Sequence, residues 1–161
     1  MSDFPVEVVR SKRRTRTAQA SLREGRIEVM VPDGMDRTEE AKVVEQLVAR
    51  VIRRSTSTGI DLAARARELA RTYGFPAPKF VEWSDRQMRT WGSCSRTEGR
   101  IRISRRLATM PTWVLDSVLV HELAHLEVAG HGPRFQALVA RYELSERAIG
   151  YLIASASLTP N

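Results

Sequence analysis

Apolar and polar residues alternate at the start of the chain. Val6 and Val8, then Ile27, Val29 and Val31, stand between polar neighbours, and Arg23-Glu24-Gly25-Arg26 supplies a turn, the pattern of half-buried strands. A β-hairpin over 6–32 is expected. Asp36 followed by Glu39 has the form of a capping box, after which Val43, Val44, Leu47, Val48, Val51 and Ile52 recur at helical spacing. That helix should run to about Arg54 and end in the polar break Ser55-Thr56-Ser57-Thr58-Gly59. A second helix turns Leu62, Ala66, Leu69, Ala70 and Tyr73 inward and stops at Gly74, ahead of Pro76 and Pro78.

Beyond the prolines, Lys79–Trp83, Arg89–Cys94 and Gly99–Ser104 read as strands, the last by alternation of Ile101 and Ile103 with Arg100 and Arg102. Three helical segments follow, Thr112–Ala129, Pro133–Tyr142 and Ser145–Ala154. No repeat, low-complexity tract or interdomain linker interrupts them. The expectation is one α+β domain over 1–161: a hairpin at 6–32, helices across 37–73, then a sheet and the remaining helices across 79–155.

Composition narrows the class. Of the 161 residues, 42% are hydrophobic and 28% charged, which places the chain among globular proteins and away from disordered ones. The start of the chain carries no apolar run behind a basic stretch, and no window reaches the ~18 apolar residues of a membrane span. A single cysteine, Cys94, makes no internal disulfide and suits a reducing compartment, so the cytoplasm is expected. The net charge is +7, with 26 basic residues against 19 acidic ones, and all but three of the basic residues are arginine. Arginine forks onto phosphate and carboxylate, so a polyanionic substrate or partner enters the picture. The run Arg10, Lys12, Arg13, Arg14, Arg16 raises nucleic acid, but no aromatic residues interleave it for stacking, and a solvated strand face is preferred.

The chemistry concentrates in His121-Glu122-Leu123-Ala124-His125. On a helix, side chains four residues apart share a face, so both imidazoles point to one spot. Glu122 is placed to reach a water on an ion held there without itself being a ligand, as in HExxH zinc hydrolases. Catalytic zinc takes three protein ligands and keeps one position open. His131 is the preferred third ligand, because Gly130 lets the chain turn back toward the helix; Glu143 is its rival. The offset from His125 to His131 is that of metzincins, but Val128 occupies the glycine position of that motif and no methionine follows. The chain is not a metzincin.

Four segments together resemble a known family: Arg89-Thr90-Trp91-Gly92-Ser93-Cys94-Ser95, Gly99-Arg100-Ile101-Arg102-Ile103, Val120 to Leu126, and His131-Gly132-Pro133-Arg134-Phe135. They are similar to the YgjP-like metal-dependent hydrolases, which are related to the SprT-like and WLM metallopeptidases. The resemblance runs from about Ser11 to Tyr142 and implies a zincin-like α+β fold, with a small curved, mostly antiparallel sheet packed on the HExxH helix. Ser104, Ser117 and Gln136 stand where the family usually has asparagine, tyrosine and tryptophan. These departures bear on substrate contacts and leave the metal residues intact. The resemblance implies a peptide substrate or, as the alternative, the phosphoanhydride of a nucleoside triphosphate such as UTP. A nucleic-acid-binding module with a structural zinc is a third reading, disfavoured because structural sites close with four ligands.

The expected site is therefore one divalent ion, zinc first with nickel or manganese as alternatives, on His121, His125 and His131, with Glu122 activating the water. Trp91 and Gly92 are expected beside the substrate, Gly92 permitting close backbone approach. Arg89 and Arg102 are the candidates for a substrate carboxylate or phosphate. Cys94 is expected to pack as a small hydrophobe.

Overall fold

Strand formation follows the alternation but yields one strand more than a hairpin. The computed structural model, which describes residues 4–157, places β1 at Val6–Ser11, β2 at Gln19–Arg23 and β3 at Arg26–Pro32. Only β2 and β3 form the hairpin; β1 joins β3 in parallel, with Val6 opposite Ile27 and Val8 opposite Val29. The hairpin turn is Glu24-Gly25, both at positive φ (49° and 77°), the left-handed geometry that two-residue connections require and glycine supplies without strain. Helix α1, Arg37–Thr58, is capped as expected. The Asp36 carboxylate accepts the backbone N–H groups of Thr38 (2.9 Å) and Glu39 (3.3 Å), and these bonds hold its pKa below the ordinary value. The helix continues through the polar stretch expected to break it, where the Thr56 hydroxyl donates to the Ile52 carbonyl at 2.9 Å and is satisfied inside the helix. Ile27, Val29 and Val31 are wholly buried against Val44, Leu47, Val48, Val51 and Ile52. The chain parts into two compact units between Thr56 and Ser57.

The second unit holds α2 (Leu62–Tyr73), β4 (Phe80–Ser84), β5 (Gly92–Ser95), β6 (Arg100–Ser104), a 3-10 turn (Arg105–Thr109), α3 (Thr112–Glu127), α4 (Pro133–Val139) and α5 (Ser145–Ser157). Its strands order as β4-β6-β5, with β4 parallel to β6 and β5 antiparallel to it. Each sheet thus carries one parallel and one antiparallel pair, a correction to the mostly antiparallel sheet expected. In both cases sequence neighbours form the hairpin, and the third strand arrives through a longer connection that lets it run parallel.

Helix α3 is the centre of this unit. Val114, Leu115, Val118, Leu119, Val120, Leu123 and Ala124 are all buried, on nearly every side of the helix, which marks a core helix rather than a surface one. It packs against α2, β5, β6, α4 and α5. Two carboxyl groups are buried with it, Glu122 and Asp116; Asp116, 4% exposed, receives a fork from Arg65 of α2, Nε to Oδ1 at 2.8 Å and Nη2 to Oδ2 at 2.6 Å. Asp116 is the main cause that raises the Arg65 pKa. No helix among the described residues is long and apolar enough to cross a membrane.

Candidate metal centre

His121 and His125 sit one turn apart on α3, and His131 returns to them from the segment before α4. One ring nitrogen of each lies within 4.8 Å of the other two. The ring centroids are 4.9 Å (His121–His125), 5.4 Å (His121–His131) and 4.7 Å (His125–His131) apart. Val128 explains the return. It ends α3 in extended backbone, φ −130° and ψ 125°, which suits a β-branched residue and needs no glycine. The chain therefore leaves the helix before Gly130, earlier than expected. The Val128 carbonyl then accepts from Nδ1 of His125 at 3.0 Å, and Nε2 of His125 faces Nε2 of His131 at 3.1 Å.

The three imidazoles fit a divalent ion. Ligand nitrogens about 2.0–2.1 Å from a tetrahedral zinc stand roughly 3.3 Å apart, close to the His125–His131 separation. Histidine ligands also commonly donate their second ring nitrogen to a carbonyl, as His125 does. Burial, followed by the charges of His125 and His131, lowers the His121 pKa to about 4, so this imidazole is neutral and available at physiological pH. Beneath the triad lies Phe135 of α4, stacked on His125 (4.5 Å, 24°) and edge-on to His121 and His131 at 4.8 Å each. Gln136 donates to the His131 carbonyl at 3.3 Å. Glu143 lies exposed between α4 and α5, outside the cluster.

Glu122 points from α3 toward β5. It is 5% exposed, and burial raises its pKa to about 7, the range suited to a group that takes up and returns a proton near neutrality. The carboxylate and all three histidines line a cleft of about 860 Å³ whose walls are Thr90 to Thr97 without Ser95, Ser117 and Val118 of α3, and the α5 face carrying Ile149, Leu152, Ile153 and Ala156. Ile149 and Ile153 are 51% and 64% exposed, large apolar side chains open to solvent within a concave site.

The sequence-expected substrate residues divide. Trp91 and Gly92 line the cleft. At Gly92, however, the close approach is made by Glu122: a Cβ there would stand 2.6 Å from Oε1 of Glu122. Arg102 lies elsewhere, bonded to Glu82 of β4 at 2.9 Å; Ile101 and Ile103 point into the core, so the residue between them must point away from it. Arg89 is exposed and does not line the cleft, whose one lining cation among the described residues is Arg96. Cys94 lines the cleft half-buried, and burial followed by the charge of Glu122 raises its pKa to about 11, so the thiol stays protonated.

Two sets of residues escaped the pattern. The α5 face gave only an ordinary amphipathic signal, and Arg106 was lost among many arginines. Arg106 stacks over the Trp91 ring at 4.0 Å and donates to the carbonyls of Gln87 (3.1 Å) and Thr90 (3.2 Å). It also donates to the Ser104 hydroxyl at 3.1 Å. Of the three departures from the family pattern, Ser104 belongs to this network, Gln136 supports His131, and Ser117 alone faces the cleft.

The fold resembles two solved structures: the metallopeptidase zymogen of Pyrococcus abyssi abylysin (TM-score 0.52, 19% identity, covering 58% of this chain and 93% of that one) and that of Methanocaldococcus jannaschii jannalysin (TM-score 0.51, 14% identity, covering 60% and 98%). The likeness establishes a zincin-like α+β fold. No curated protein matches the chain. Residues 7–143 match the YgjP-like, metallopeptidase domain, and with most of its length inside that match the chain belongs to the YgjP-like metallopeptidase family and is a metal-dependent hydrolase.

Proposed function

We propose that the chain is a zinc peptidase in which His121, His125 and His131 hold the ion and Glu122 is the general base. The observation that carries this is the convergence of three imidazole nitrogens within 4.8 Å, on a cleft that a buried carboxylate of raised pKa also lines. A divalent ion on such ligands acidifies water and polarises a carbonyl. Glu122 accepts the proton at its carboxylate and delivers it to the leaving amine, a cycle its pKa of about 7 permits in both directions. The apolar α5 wall supports an extended peptide with apolar side chains. So does β5, which lies at the edge of its sheet, where a peptide can add as a further strand.

The phosphoanhydride alternative has less support. Charge on a triphosphate calls for several cations around it, and Arg89 and Arg102, the candidates for that task, are absent from the cleft lining. The test is a substrate screen on purified protein loaded with zinc, nickel or manganese. The expected outcome is cleavage of casein or another unfolded protein with nucleoside triphosphates left intact. Glu122→Gln should keep fold and metal while turnover falls ~10² to 10⁴-fold. His131→Ala should weaken metal binding at least ~10-fold, and Glu143→Ala should be much milder. Nucleotide hydrolysis that Glu122→Gln abolishes, without any peptide cleavage, would overturn the peptide reading.

A further inference from the structure

We propose that Gly92 is a positioning residue for the base: the missing side chain on β5 is the space in which the Glu122 carboxylate stands. This rests on Glu122 being the general base. A Cβ at Gly92 would lie 2.6 Å from Oε1, 2.9 Å from Cγ and 3.0 Å from Cδ of Glu122. The conflict involves the whole outer half of the glutamate, so a small rotation of its tip does not relieve it.

Which partner yields decides the consequence, and the strand is held from several directions. Gly92 pairs with Ile103 of β6 in the antiparallel ladder. The Trp91 carbonyl accepts from the Ser104 N–H at 2.8 Å. Arg106 grips the carbonyls of Gln87 and Thr90 while it stacks on Trp91, and Gln87 donates to the Ser93 hydroxyl at 2.6 Å. Helix α3 is fixed in turn by its buried core and by the Arg65–Asp116 fork. With both backbones anchored, the element able to move is the Glu122 side chain. Any side chain at position 92 therefore displaces the carboxylate from the cleft, and misplacement of a reacting group by about 1 Å can cost ~10²-fold in rate. The three atoms nearest that Cβ all belong to Glu122, and none to a histidine.

The test is a double-mutant cycle on the full chain with zinc bound. Gly92→Ala should lower kcat ~10²-fold or more with KM and zinc affinity within about threefold. Glu122→Asp withdraws the carboxylate by one methylene and should be slow by itself. In Gly92→Ala/Glu122→Asp the added methyl meets a shorter neighbour, so the double variant should be no slower than Glu122→Asp alone. The same non-additivity should appear in the melting temperature of the metal-free proteins. Gly92→Ala with wild-type kcat, or a double variant whose losses multiply, overturns the proposal. Full turnover in Glu122→Gln instead removes the base reading on which it rests. If Gly92→Ala alone fails to fold, a folded double variant supports the same contact, and a double variant that also fails to fold overturns the proposal.

Discussion

Adjacent residues on α3 are driven in opposite directions by the same burial. Burial raises Glu122 from 4.5 to about 7 and lowers His121 from 6.5 to about 4. In the metal-free protein the two then oppose each other in stability. Between pH 4 and 6.5 the unfolded His121 binds more protons than the folded one, so its contribution rises with pH; between 4.5 and 7 the folded Glu122 binds more, so its contribution falls. Each amounts to about 3 kcal/mol at full extent. The pair should nearly cancel from about pH 4.5 to 6.5. Glu122→Gln removes one side of the balance, and urea denaturation of that metal-free variant should show stability climbing across this range. A pH-independent stability there would contradict the account of His121. At this scale the sequence was highly legible: the spacing of His121, His125 and His131 and the place of Glu122 all lie within eleven residues. Gly92 was singled out for a close approach. That the approaching group is Glu122 could not be read, because thirty residues of chain separate the two.

Among the elements, α3 carries the site and must be held in orientation. Its one buried ion pair is suited to this, since Asp116 is almost wholly enclosed while Arg65 reaches it from α2 in a two-point fork. Removing one partner of a buried pair strands the other charge, at a cost of about 3–5 kcal/mol when both are enclosed. The Arg65 side chain keeps about a third of its exposure, so about 2–3 kcal/mol is expected for Arg65→Met. Adding Asp116→Leu should restore most of that loss, because no charge is then left buried. Chemical denaturation of the three variants measures this, and a double variant weaker than Arg65→Met would exclude the explanation. Most element boundaries were legible to within a few residues, from Asp36 at the start of α1 to Gly74 after α2. β2 was missed because Ala20 and Leu22 give a weak alternation. The parallel pairings were also hidden, since a strand's pattern records which face is buried and not the direction of its neighbour.

At the scale of the molecule, the two hydrophobic clusters among the described residues share no member, one built on Ile27, Val29 and Val31 and the other around α3. A ligand stabilises what it binds by mass action, about 2.7 kcal/mol at a hundredfold excess over its dissociation constant. Native-state hydrogen exchange with and without zinc should therefore show increased protection of α3, β5 and β6 amides, with those of β3 unchanged. Equal gains in both clusters would show that the units open together. By itself the sequence determined the α+β class and the grouping of His121, His125 and His131 with Glu122 beside them. Their juxtaposition depends on helical periodicity and one short return of chain, both of which act over a few residues. The tertiary structure alone decided that Arg106 clamps Trp91, that α5 forms the apolar wall, that Arg102 pairs with Glu82 away from the site, and that Gly92 receives Glu122. Each is a contact between residues distant along the chain, and local pattern specifies which face a side chain takes but not the partner that packing brings to it.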